Sequence, residues 1–417
     1  MAEPIEQSFR SSPQQRRVWH LQKDGLTLCA SLCALRIEGD LDRRALRRAL
    51  VETVARHEIL RTALRLPAGL TAPLQVILEP GSIISLPEVD LGSLSAERRA
   101  ARAAGLLSVI GGLPFDLERG QGWRAALVRL GEGEHELLLA LSAACADPGA
   151  FEPLAADLFA AYARQTAGEG GNPEPPLQYV DVAEWQNSLL EAEDTAEAVE
   201  TWREYWRGGD IDAKLALPLP LQEREAAVGP FAPRSADVPL PRETAGALAR
   251  LAEDWDCSLP VLVLTAWQAV IQRGTGRDET LVGVLHAGRD AEELRSVVGP
   301  LAHYLPVLAR FDLAAPFREA VDQVREAVAE AERRGEYFSW DHVAGDMGAG
   351  GFPVCFEALT GEWELEASGL RITPVRSAWN NAVLDSFLLA LSCRGAGEDL
   401  RLGLRYDPRR FRRGEAQ

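Results

Sequence analysis

The 417-residue sequence is poor in the groups that usually mark catalysis, metal binding or membrane insertion. Histidine occurs six times, at His20, His57, His135, His286, His303 and His342, and none of these sits beside a second metal-ligating cluster. The six cysteines are scattered among mostly apolar neighbours. Cys29 and Cys33 are four apart, but no second pair or histidine lies nearby to complete a zinc site. Buried free thiols in a cytoplasmic protein are the expectation, and no metal is expected. Positive charge is in deficit: 44 basic against 62 acidic residues give a net charge of −18, which argues against a nucleic-acid backbone or an anionic membrane as the main partner. No apolar run is long enough to cross a bilayer, which needs about 20 residues. The longest, about Ser258 to Gln272, falls short, and the start MAEPIEQSFR has no signal-peptide pattern. A phosphate-binding glycine loop is also missing. The stretch Gly345 to Gly351 lacks the following Lys-Ser/Thr and reads as a flexible loop.

What remains is ordinary globular material, 47% hydrophobic and 25% charged, in a chain longer than one core usually supports. Ser12 and Pro13 read as a helix start. A strand is expected over Leu28 to Ile37, then an amphipathic helix over Leu41 to Arg56, with Leu46, Ala49, Leu50, Thr53 and Val54 as its stripe and Arg43 to Arg48 supplying a solvated face. A second basic cluster spans Arg409 to Arg413. Leu60 to Leu66 and Trp123 to Leu130 read as strands, and Ala96 to Leu107 as a helix. Gly168 to Pro176 reads as a linker. Tyr179 to Trp206 reads as helical, with Trp185, Trp202 and Trp206 as large apolar anchors and the acidic run Glu191 to Glu200 as a solvated face. Leu215 to Pro241, carrying six prolines, reads as an extended crossing segment. The second half then follows the first in outline. Helices are expected at Arg242 to Asp254, Leu259 to Arg273 and Phe317 to Arg334. Strands are expected at Glu279 to His286, Tyr304 to Phe311, Phe352 to Ala358, Leu384 to Cys393 and Leu400 to Tyr406. The expected class is α/β, with two halves, 1–175 and 241–417, joined by a linker and crossing segment over 176–240.

The centre of the chain is His135 to Asp157. A strand, His135 to Leu141, enters a turn of small residues containing Asp147, Pro148 and Gly149, and a helix follows with Phe151, Leu154, Ala155 and Leu158 on one face. From Ser142 to Ala146 the side chains are hydroxyl, methyl, methyl, thiol and methyl, so a position suited to chemistry carries almost none.

Several longer motifs, in order, resemble those of the condensation domains of non-ribosomal peptide synthetases. Ser12 to Trp19 with Leu21 is similar to S-x-x-Q-x-R-x-W-x-L. Arg56 to Thr62 matches R-H-E-x-L-R-T, and Tyr179 to Gln186 matches Y-x-D-x-A-x-W-Q. Val282 and Gly283 with Ala287, Gly288 and Arg289 match V-G-x-x-x-A-G-R. Val298 and Gly299 with Leu305, Pro306 and Val307 match V-G-x-x-x-N-T-L-P-V, except that His303 and Tyr304 replace Asn and Thr. Phe352 to Phe356 resembles the last core strand. The resemblance implies two chloramphenicol-acetyltransferase-like halves arranged as a V around a tunnel. A carrier protein would bring a phosphopantetheine arm to each end of that tunnel, and the reaction centre would be the turn after His135 to Leu141. The chain stops soon after Phe411, where the family usually continues into a helix. That is expected of a domain cut from a larger synthetase, with a short natural terminus as the alternative.

At that turn the family motif H-H-x-x-x-D-G falls on Ser142, Ala143, Ala144, Cys145, Ala146, Asp147 and Pro148, with the glycine displaced to Gly149. Both histidines are missing. The second contacts the attacking amine in the family, and the Ala143 methyl can neither accept a proton nor donate a hydrogen bond. The resemblance further implies that Asp147 is structural and pairs with Arg61. Cys145 and Ser142 are weak substitutes for the lost base, since no histidine is close in sequence to activate either. His57 is expected to be structural, His20 and His342 peripheral, and His135 too far along its strand to act. His286, His303, Tyr304, Asn380 and Asn381, with Trp379, are expected near the tunnel. No residue is therefore named as catalytic.

Keeping Asp147 and Arg61 while losing both histidines points first to a silent interaction domain. Such a domain binds an aminoacyl or peptidyl carrier protein beside neighbouring synthetase domains and recruits a tailoring enzyme, an oxygenase or a hydroxylase, as interface-type and P450-recruiting members of the family do. The rivals are an unconventional condensation domain that forms an amide bond by alignment alone, and a passive spacer.

Overall fold

The computed structural model describes residues 7–23, 29–81, 84–169, 171, 173–207, 217, 231–310, 312, 314–343, 351–359, 363–376, 382–412 and 414. Among these, two six-stranded mixed sheets and one three-stranded sheet carry the architecture. The first large sheet contains β2 (Ala30–Glu38), β5 (Glu88–Asp90), β6 (Trp123–Gly131) and β7 (Glu134–Ser142), completed by β12 (Leu365–Ala367) and β13 (Leu370–Arg376), in the order β12-β13-β2-β7-β6-β5. Its strands β2 and β7 run antiparallel through nine residue pairs, Ala30 opposite Ser142 to Glu38 opposite Glu134. The small sheet joins β1 (Ser8–Arg10), β4 (Leu74–Ile77) and β3 (Thr62–Arg65).

Helices α2 (Arg43–Arg56) and α4 (Phe151–Ala167) cover one face of the first sheet, where Leu46, Leu50, Leu154, Leu158 and Phe159 pack against Leu35, Leu137 and Leu139. Helix α3 (Ala96–Gly111) covers the other through Ala103 and Leu107. The stripe expected for α2 is buried, and Arg43, Arg44, Arg47 and Arg48 are exposed. Its start is fixed by Asp42, whose carboxylate accepts from the amides of Arg44 and Ala45.

The second large sheet runs β10-β9-β11-β14-β15-β8. These strands are β8 (Arg234–Val238), β9 (Thr280–His286), β10 (His303–Ala309), β11 (Val354–Leu359), β14 (Leu389–Arg394) and β15 (Arg401–Tyr406). Helices α7 (Arg242–Asp254), α8 (Leu259–Thr275) and α9 (Phe317–Arg333) pack on one face. The uncharged run Ser258 to Gln272 is thus the core-facing helix α8, capped by Ser258, whose hydroxyl accepts from the Val261 amide. No helix among the described residues is long and apolar enough to cross a membrane.

The structure departs from the expected division in three places. Tyr179 to Trp206 is two helices, α5 (Tyr179–Glu191) and α6 (Ala196–Arg207), because Ala192 turns extended and the Thr195 hydroxyl bonds back to the Leu189 and Ala192 carbonyls. The expected crossing segment ends in β8, which pairs with β15 and so belongs to the second sheet. Most of Leu215 to Pro230 lies outside the described residues. The hairpin β12–β13 leaves the second half and adds to the first sheet, with Ile372 opposite Ile37 and Arg371 opposite Glu38.

Candidate functional site at the strand-to-helix turn

The fold places the β7–α4 turn at the contact between the halves. Helix α1 (Pro13–Lys23) lies over it, held by a reciprocal cap. The Gln15 amide donates to the Ser12 hydroxyl at 3.1 Å, while the Ser12 amide donates to Gln15 Oε1 at 2.9 Å. Gln15 Nε2 then reaches the Ala144 carbonyl at 3.4 Å and Gln75 at 3.0 Å. The serine and glutamine of the opening motif therefore tie the turn to the small sheet.

Asp147 is fully buried and fully used. Its Oδ1 accepts from the Ala150 amide at 3.1 Å, at the N-cap of the short 148–150 turn that leads into α4. Its Oδ2 accepts from Arg289 Nη1 at 2.8 Å and from the amides of Leu301 and Ala302 at 2.6 and 2.7 Å. The expected pair with Arg61 does not form. Arg61 lies at the end of the 58–61 turn, donates to the Leu78 carbonyl and sits 3.4 Å from Glu58, while the second half supplies the partner of Asp147. The displaced glycine has a steric reason: a Cβ on Gly149 would lie 2.8 Å from Arg289 Nη1.

Neighbouring motifs converge on the same contact. Arg289 also donates to the Gly299 carbonyl at 3.1 Å. Gly288 sits at φ +67, with room for no side chain against the Leu301 carbonyl. Tyr179 OH contacts the Ser12 hydroxyl at 2.6 Å and the Pro300 carbonyl at 2.9 Å, and its ring occupies the space a Cβ on Gly299 would need. His57 is structural: it caps α2 through its amide and its ring meets Asp157 at 2.7 Å.

The turn itself carries little chemistry. The Ser142 hydroxyl accepts from the Ala144 amide at 3.2 Å. The Cys145 thiol is buried against Gly122, and burial pushes its pKa up to about 12, which leaves it protonated and unreactive at neutral pH. Cys145 and Ala143 belong to different clusters. Cys145 packs with the α4 core and Ala143 with Val18, Leu64 and Leu117. No group of three or more potential metal ligands occurs among the described residues.

Ala143 lines a cavity between the halves, together with Arg17, Trp340, Asp385, His303 and Tyr304. Arg17 and Asp385 engage each other at 2.7 and 2.9 Å. The His303 ring nitrogens lie 3.0 Å from the Leu301 carbonyl and 3.3 Å from that of Gly335. Burial, reinforced by the His286 ring, lowers its pKa to about 4, so it is neutral at pH 7. Tyr304 OH donates to Glu357, which also pairs with Arg405, and burial pushes its pKa up. His286 faces Asp290 at 3.2 Å and lines an adjoining cavity that His303 also borders. His303 and Tyr304 thus line the first cavity, and His286 and His303 the second. Trp379, Asn380 and Asn381 lie outside the described residues, as does the side chain of His342. Arg17, Asp385, Arg289, Gln15 and Gln14 carry contacts that no sequence pattern assigned to them, although all but Asp385 lie within the motifs named above.

A sequence profile of the Condensation domain family matches residues 5–338. Chondramide synthase cmdD of Chondromyces crocatus is 32% identical over 397 residues, which is 92% of this chain and 10% of that protein. Phosphinothricin tripeptide synthetase PhsC of Streptomyces viridochromogenes is 31% identical over 334 residues, which is 79% of this chain and 30% of that protein. The chain therefore spans between a tenth and three tenths of these relatives. Among solved structures, the X-domain from teicoplanin biosynthesis superposes with a TM-score of 0.82 at 25% identity, over 100% of this chain and 93% of that one. The same X-domain in complex with OxyB gives 0.80 at 26% identity, over 100% and 91%. The first condensation domain of the calcium-dependent antibiotic synthetase, bound to a substrate analogue, gives 0.80 at 21% identity over 98% and 93%, a likeness of fold.

Proposed function

The chain belongs to the condensation-domain family of non-ribosomal peptide synthetases, and from that premise we propose that it is a catalytically silent member that docks a carrier protein and recruits a tailoring enzyme in trans. The observation that carries this reading is Ala143. Its methyl lies on the cavity wall where the family motif places the histidine that meets the attacking amine. The ionisable groups beside it are engaged: Arg17 with Asp385, Tyr304 with Glu357, and neutral His303 through its single N–H to one of two neighbouring carbonyls, its other ring nitrogen carrying no hydrogen. The support for the old reaction centre persists, since Asp147 keeps four donors. Likeness to an X-domain solved with OxyB supports an oxygenase or hydroxylase as the recruited partner. The phosphopantetheine arm would be the carrier's, with neighbouring synthetase domains alongside.

One observation favours a second reading, an unconventional condensation domain. His303 borders the same cavity as Ala143 and is neutral, so it is able to take a proton. Losing general-base help costs about 10²- to 10⁴-fold, while alignment of both arms supplies effective molarities of roughly 10⁵ M or more. A single-turnover assay separates the two. Donor and acceptor carrier proteins loaded with aminoacyl groups are mixed with the domain, and thioester products are read by mass spectrometry. No product above the domain-free rate, with measurable binding of an oxygenase or hydroxylase, is expected. Dipeptide well above that rate refutes the silent reading.

A further inference from the structure

Two cavities between the halves share one wall. The first holds Ala143 and Arg17. The second opens at the surface beside Trp185, Asp290 and Glu336. Both are bordered by Pro13, Gln14, His303 and Phe338. Pro13 and Gln14 come from the first turn of α1, His303 from the first residue of β10, and Phe338 from just after the 335–337 turn, so each half contributes to the wall. The second-half side is fixed. Besides its two carbonyl contacts, the His303 ring stands edge-on to His286 at 5.5 Å. Phe338 is 6% exposed and packs edge-to-face with Trp202 at 5.3 Å and Trp340 at 5.6 Å. Gly335 keeps the backing tight, since a Cβ there would come within 2.9 Å of Leu305 and 3.6 Å of the His286 ring.

The cavities also carry unmet hydrogen-bonding groups. Gln14 Oε1, on the shared wall, is buried without a partner. So are Ser339 Oγ in the first cavity and Gln186 Oε1 in the second. A buried polar atom left unsatisfied is costly, and an N–H or O–H of a bound ligand would satisfy each of these three.

We infer that His303 is a partition. It divides the space between the halves into two chambers, each suited to the tip of an amide-bearing chain, that do not connect. The motif that this segment resembles has the smaller Asn at that position, so the imidazole is the determining change. Chains entering from opposite sides would be kept apart whatever groups they carried. The inference rests on the proposed function only for the identity of what enters; the division is a property of this chain's own side chains.

The test is crosslinking inside the protein. Ala143→Cys and Gln186→Cys place one thiol in each chamber. Each single variant is first treated with a monofunctional methanethiosulfonate, and the double variant then with a short flexible bis-methanethiosulfonate, with products mapped by mass spectrometry. Both single variants are expected to label, and the double variant with His303 in place is expected not to crosslink. His303→Ala or the milder His303→Asn should raise the crosslinking rate roughly 10- to 1,000-fold, the inverse of an open state populated at about 0.1–10%. Thermal melts establish that each variant is folded. The inference is overturned if the His303 protein crosslinks as fast as the variants, if folded variants do not crosslink, or if either single cysteine fails to label. The reaction needs no carrier protein, substrate or partner enzyme, so its outcome is independent of the condensation assay.

Discussion

Replacing Arg289 by methionine should destabilise the protein far more than replacing Arg61, although the resembled motif pairs the latter with Asp147. Asp147 has no solvent exposure and Arg289 only 10%, so removing the guanidinium leaves a buried carboxylate facing a methyl group. Breaking a buried pair from one side typically costs about 3–5 kcal/mol. The Leu301 and Ala302 amides remain on the same oxygen and place the expected loss at the lower end. A cooperative unit of 150–250 residues loses about 2–4 °C of melting temperature per kcal/mol, so Arg289→Met should lower the transition by roughly 6–12 °C. Arg61→Met removes a carbonyl contact and a 3.4 Å contact to a partly exposed glutamate, a loss of about 1 kcal/mol. The assay is urea and thermal denaturation of both variants, each alone and combined with Asp147→Asn. Coupling of about 0.5–3 kcal/mol is expected between positions 147 and 289, and close to none between 147 and 61. Equal losses for the two arginine variants, or coupling of Asp147 to Arg61 alone, would refute the assignment of Arg289 as the partner.

Gly299→Ala should cost about 1–3 kcal/mol or more in urea titration, because the new methyl would come within 2.0 Å of the Tyr179 ring, whose hydroxyl is held by Ser12 and Pro300. Thiol-reactive dye at pH 8 should modify half-buried Cys257 ahead of the five buried cysteines, with Cys145, pushed up to about 12, reacting only on denaturation; rapid native labelling of Cys145 would contradict its burial. His303, lowered to about 4 in the fold against an ordinary 6.5, binds its proton more readily when unfolded. Its contribution is therefore present above pH 6.5 and is lost as pH falls towards 4, with a slope of up to about 1.4 kcal/mol per pH unit. Denaturation curves across that window should flatten in His303→Asn, and an unchanged slope would disprove the assignment.

Elements with local signatures were legible in the sequence. The apolar stripe of α2, the uncharged run that forms α8 and the helix Arg242–Asp254 all emerge close to where their patterns put them. The emptiness of the turn after β7 was legible too, because residue type alone decides what a methyl can do. Contacts across long stretches of chain were not legible. Arg289 lies 142 positions from Asp147, and nothing in either local pattern names the other. The break at Ala192 was hidden by helix-favouring residues on both sides, and the small strands β1, β4 and β5 were too short to show a period.

The hairpin Leu365–Arg376 has a consequence for anyone exchanging segments between synthetases. Because it supplies the neighbour of β2, a graft that swaps only the first 175 residues would join a donor's β2 to a recipient's β13. Five cross-strand pairs would then be mismatched, or, if the first half were produced alone, the edge of a nine-residue strand would be left bare and prone to association. The unit of exchange is therefore set by this hairpin as well as by the linker, and productive junctions are those that transfer β2 and residues 365–376 together.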